Sequence, residues 1–140
     1  MPVTAAEVEQ IRDSFADLQE NLDAHSAYFY ESLFRHAPDL RPMFRDDLEG
    51  QGMKFMRTLG VIIGKLRDED SLAPQYTDLG KKHAMLGVIA SQFEPMEAAL
   101  MDTLRKALGD KFTPELETAW RKAYAQVSAN MIRRGQIELS

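Results

Sequence analysis

Apolar positions recur at three- and four-residue steps along the whole chain, and no stretch shows the two-residue alternation of a strand. Val8, Ile11, Phe15 and Leu18 mark one face of a first helix, opened by the capping box Thr4-Ala5-Ala6-Glu7. A second helix begins near Asn21 and carries Leu22, Tyr28, Phe29, Tyr30, Leu33 and Phe34; Pro38 stops or bends it. A tight stretch over 38–44 and a polar loop over 45–50 come next. A third helix is predicted over about 51–67, with Phe55, Leu59, Ile62 and Leu66 on one side. A charged turn over 67–71 then leads into a short helix that ends near Gly87. Another helix spans about 92–108 and is stopped by Gly109-Asp110. Thr113-Pro114 opens the last one, threonine as cap and proline in the first turn. It runs to about Arg134, with Leu116, Trp120, Tyr124, Val127 and Met131 inward. Without repeats, linkers or low-complexity segments, the pattern predicts an all-α fold as one domain over 1–140.

One position on these faces carries chemistry. Leu72, Tyr76, Leu79, His83 and Leu86 share one stripe, so His83 is aimed at whatever its helix buries. Two readings stand at this point: a core histidine satisfied by a hydrogen bond, or a metal ligand. Cysteine is absent, so a metal must be held by histidine, by carboxylate, or within a prosthetic group that brings its own ligands. His25 and His36 form no (i, i+4) ligand pair, and Asp46-Asp47 and Asp68-Glu69-Asp70 read as solvated charge. There is no phosphate-cradling glycine loop, no HExxH and no GxSxG.

Composition narrows the partners. The 17 basic and 22 acidic residues give a net charge of −5 with no basic stripe, which argues against nucleic acid. No apolar run approaches a membrane span, and Met1-Pro2-Val3-Thr4 lacks the features of a secretory signal. The expectation is a soluble, cytoplasmic protein.

The remaining pattern lies in the order Tyr30-x-x-Leu33-Phe34-x-x-x-Pro38, Phe44, Gln51 to Phe55, Leu79-Gly80-Lys81-Lys82-His83, Phe112-Thr113-Pro114, and Ala119-Trp120-x-x-x-Tyr124. In that order and spacing the chain resembles the globins. It is most similar to bacterial single-domain globins and the globin part of flavohaemoglobins, with some likeness to neuroglobin. The resemblance runs from the first helix through Met131. It implies a globin fold, six to eight helices around a pocket for haem b.

The same resemblance assigns residues. His83 takes the place of the proximal iron ligand, its other ring nitrogen donating to a backbone carbonyl near Leu79. Phe44 matches the phenylalanine stacked on haem, and Tyr30 a distal tyrosine. Counting back from His83 by thirty-two residues puts Gln51 at the distal place; counting forward from Phe44 puts Lys54 there instead. The first count sets Gly52 beside Ser26 where helices two and three cross, Phe55 inward over the haem, and Lys54 at the edge near a propionate. Lys82 is a second candidate propionate partner. Val88, Phe93 and Met96 are expected to line the proximal side. The chain departs from flavohaemoglobins at Phe93 and Gly135, where their tyrosine–glutamate network stands, and that weakens the push on the iron.

The function so implied is reversible binding of O2, with CO and NO as further ligands. The alternatives are a nitric oxide dioxygenase served by a separate reductase, and a haem-based gas sensor or haem-free helical bundle acting through a partner.

Overall fold

The hydroxyl of Thr4 accepts the Glu7 amide at 3.2 Å, and the Glu7 carboxylate accepts the Thr4 amide at 2.9 Å. This reciprocal cap starts α1 (Ala5–Gln19), as the sequence pattern predicts. The computed structural model describes residues 3–43, 48–66, 69–85 and 88–137. Within them the chain continues through α2 (Leu22–His36), a 3₁₀ turn (Pro38–Met43), α3 (Leu48–Gly64), α4 (Glu69–Met85), α5 (Phe93–Leu108) and α6 (Pro114–Gly135). Short 3₁₀ turns, Ala90–Gln92 and Gly109–Lys111, flank α5. No strand occurs among the described residues, so the fold is all-α, and no described helix is long and apolar enough to cross a membrane.

Two boundaries differ from the sequence expectation. Residues 48–50, read as polar loop, belong to the start of α3. Residues 69–71, read as charged turn, open α4, which is therefore 17 residues long rather than short and contains Pro74. Acidic residues suit a first helical turn, where the backbone dipole favours negative charge. A charged run before a proline thus carries both signals, and here the helix wins.

Helix ends are tied to neighbouring helices. The Arg12 guanidinium of α1 donates to the Gly64 carbonyl at the end of α3 at 2.6 Å. The Lys122 ammonium of α6 reaches the capping Glu7 at 2.8 Å. Deeper, Trp120 Nε1 donates to Ser14 Oγ at 2.9 Å, which satisfies the one polar atom of a ring that is otherwise core. Ile11, Leu18, Leu33, Met56, Tyr76, Leu104 and Ala119 are fully buried between the helices. In this packing α4 lies chiefly on α6, while α2 crosses both α3 and α5. The result leaves an apolar space between α4 on one side and α2 and α3 on the other.

Candidate functional site

Five helices wall a cavity of about 350 Å³. Phe29, Tyr30 and Leu33 come from α2, Thr58, Leu59, Ile62 and Ile63 from α3, and Leu66 from the turn that follows it. Leu79, Lys82 and His83 come from α4, and Phe93, Met96 and Leu100 from α5. Trp120, Ala123, Tyr124, Val127 and Met131 of α6 complete the floor, with Leu40, Val88 and Gln92 from the connecting turns. A largely apolar space of this size is far larger than the packing voids of a protein interior and falls in the range of small-molecule sites, roughly 300–1,000 Å³.

His83 faces this space with one nitrogen already engaged. Its Nδ1 lies 2.6 Å from the Leu79 carbonyl, one turn back on α4. A carbonyl oxygen only accepts, so Nδ1 carries a proton, and in the neutral ring this tautomer keeps the lone pair on Nε2. The Phe93 ring flanks the imidazole at a centroid distance of 6.0 Å and 35°. Phe93 is in turn fixed by Tyr124, whose hydroxyl donates to the Phe93 carbonyl at 2.6 Å. Burial, with a smaller contribution from the Glu97 charge, pushes the Tyr124 phenol well above its ordinary pKa, so it remains a donor.

Tyr30 stands on α2, 7% exposed. Its ring stacks on Phe34 at 5.9 Å and meets the edge of Phe29 at 5.5 Å. Burial pushes its pKa up to about 12, so the phenol keeps its proton at neutral pH. Lys82 is exposed and pairs with Asp78 at 3.0 Å. The Val88 amide donates to the His83 carbonyl at 3.1 Å, and Val88 lines the cavity.

Of the residues singled out in the sequence, the fold brings Tyr30, Lys82, His83, Val88, Phe93 and Met96 around one cavity. Phe44 lies outside the described residues, and so do the side chains of Gln51, Gly52, Lys54 and Phe55 on α3. Ser26, named with Gly52 for a close crossing, is buried. Sequence reasoning did not single out Leu40, Thr58, Ile63, Gln92 or Leu100 as lining residues. Of these, Thr58 and Gln92 carry no apolar signal, and the others look like ordinary core. Among the described residues no three histidines, aspartates or glutamates converge on a point that would hold a bare ion.

Comparison with known proteins agrees with this geometry. The family model described as Globin matches residues 27–131. A leghemoglobin of Medicago sativa is 27% identical over 135 residues, covering 89% of this chain and 92% of its own. A leghemoglobin of Psophocarpus tetragonolobus is 28% identical over 128 residues, covering 85% and 88%. Among solved structures, a hexacoordinated heme protein from an anhydrobiotic tardigrade superposes with a TM-score of 0.86. It covers 96% of each chain at 19% identity, a likeness of fold.

Proposed function

The chain belongs to the globin family, and on that premise we propose that it holds haem b through His83 and binds O2 reversibly, with CO and NO as competing ligands. The observation that carries this reading is the Nδ1–Leu79 hydrogen bond of a histidine lining an apolar cavity, which commits Nδ1 and leaves Nε2 as the nitrogen available to a metal. The fit is chemical. The cavity walls are apolar where a macrocycle would lie, and the charged Lys82 stands at the exposed edge where propionates would emerge. Names of relatives support the same cofactor, two leghemoglobins and a heme protein.

When bound, haem would supply an iron centre able to bind a diatomic gas. The chain supplies the rest. His83 would hold the iron, its ring orientation set by the Leu79 carbonyl. Phe93, Val88 and Met96 exclude water on that side. Tyr30 keeps its proton at Oη and offers it to a negatively polarised ligand. The resemblance would make Gln51 the second distal donor with Lys54 a propionate partner beside Lys82, or Lys54 the distal residue instead, and would pack Phe44 and Phe55 on the macrocycle. Kinship with bacterial single-domain globins and flavohaemoglobins, and a cytoplasmic setting, belong to this same proposal.

Turnover as a nitric oxide dioxygenase with a separate reductase is the weaker reading, because Phe93 brings no hydroxyl to the imidazole. The test is a spectrum of the reduced, haem-loaded protein in air. A stable oxygenated form that returns to the ferrous deoxygenated spectrum when O2 is removed supports reversible binding. Immediate oxidation to the ferric form in every buffer opposes it.

A further inference from the structure

Gly80 and Gly135 meet backbone to backbone where α4 crosses the end of α6. A Cβ added at Gly80 would lie 2.7 Å from the Gly135 Cα and 2.9 Å from its nitrogen, and closer still to the Met131 carbonyl. A Cβ added at Gly135 would strike the Cα and carbonyl carbon of Gly80 and lie 2.7 Å from its oxygen. Every one of these obstacles is backbone, so no side-chain rotation relieves them. Gly60 differs, since a Cβ there meets the Phe15 ring at 3.0 Å, and Gly64 meets nothing within 4 Å.

This contact sits at the root of the site. Gly80 follows Leu79, whose carbonyl fixes the His83 ring, and precedes His83 by one helical turn. Met131, whose carbonyl abuts Gly80, also lines the cavity. Phe93, on the other flank of the imidazole, is tied to the same α6 through Tyr124. Both neighbours of the imidazole are thus referenced to one helix, at two points along it.

We propose that the Gly80–Gly135 contact is a positioning device that sets the depth of α4 against α6, and through it the orientation of His83. A side chain at 135 displaces the helix that carries the imidazole. The proposal rests on the haem reading for its consequence at iron, but not for its effect on the ring itself.

The test compares wild type with Gly135→Ala, using Gly64→Ala as the control. In the haem-free chain, the His83 ring-nitrogen resonances report the ring. In the ferrous haem-loaded chain, the iron–imidazole stretching band in the resonance Raman spectrum reports the bond. Gly135→Ala is expected to shift both, and Gly64→Ala neither. A lowered melting temperature with both signals unmoved makes the contact merely structural and overturns the proposal. If Gly135→Ala does not fold alone, it is carried in a Gln136→Gly background. The wild type adds its own check, a nuclear Overhauser contact between the α protons of Gly80 and Gly135, whose absence also overturns the proposal. A wild type that takes up no haemin defeats the haem reading and leaves the haem-free measurement to decide this one.

Discussion

The Nδ1–H of His83 donates to the Leu79 carbonyl at 2.6 Å, within one turn of the same helix. Because donor and acceptor share α4, the tautomer is set by local geometry and needs no ligand. In the haem-free protein, long-range ¹H–¹⁵N correlation is expected to show His83 protonated at Nδ1 and bare at Nε2. The opposite tautomer, or a ring averaging between both, would contradict the assignment.

Tyr30 gives two expectations from one phenol. Removing a hydrogen bond to a polarised ligand in a dry cavity costs about 1–3 kcal/mol, so Tyr30→Phe should speed O2 release roughly ten- to a hundredfold. Stopped-flow displacement by CO measures this directly, and an unchanged rate removes Tyr30 from the distal side. The second concerns alkali. Burial raises the folded pKa to about 12, above the unfolded value of about 10. Its contribution to stability is therefore complete below pH ~10 and is lost as pH rises through the folded value. Denaturant titrations of Tyr30→Phe should show a shallower loss of stability over that window than wild type.

Asp102 joins α2 to α5. Its carboxylate accepts from the buried Ser32 hydroxyl at 2.7 Å and from His36 Nε2 at 2.8 Å. Burial opposes its charge, but these hydrogen bonds and the His36 and Arg105 charges outweigh it and hold the pKa below the usual carboxylate value. A depressed folded pKa stabilises above the unfolded value, about 3.9, and that stability is lost as pH falls through the folded value. The stability gap between wild type and Asp102→Asn should thus narrow as pH drops below ~4. Asp102→Ala at neutral pH leaves the Ser32 hydroxyl buried without its acceptor and should cost about 1–3 kcal/mol by denaturant melt.

Gln136 occupies the left-handed region, φ 55° and ψ 45°, just past α6. The Ile137 amide closes the helix on the Ile132 carbonyl at 3.0 Å. A non-glycine residue pays about 1 kcal/mol for this conformation, so Gln136→Gly should raise stability by a comparable amount. A thermal melt showing loss instead would mean that the glutamine side chain holds the terminus.

Much of this was legible in the chain itself. The Thr4–Glu7 capping box and the Thr113-Pro114 start signal are local rules, and they hold at α1 and α6. The partner of the His83 ring came instead with the resemblance to globins, and the helix supplies it because a side chain can reach the carbonyl four residues back. The starts of α3 and α4 were not legible, because polar residues 48–50 and 69–71 suit a loop and a first turn equally. The cavity floor was also hidden. Periodicity shows that Val127 and Met131 face inward, but it does not show that a void rather than another side chain meets them. Gly135 is the clearest case. A glycine near a helix end reads as a cap, yet the left-handed residue is Gln136, and Gly135 is there to let Gly80 approach.

The central claim is that the imidazole at position 83 is what holds haem in this fold. Titration of purified protein with haemin, followed in the Soret region, tests it most directly in wild type, His83→Gly, and His83→Gly with added imidazole. The account predicts a saturable one-to-one haem spectrum for wild type, its loss in His83→Gly, and its return with imidazole. An identical haem spectrum and affinity in His83→Gly without imidazole would contradict it.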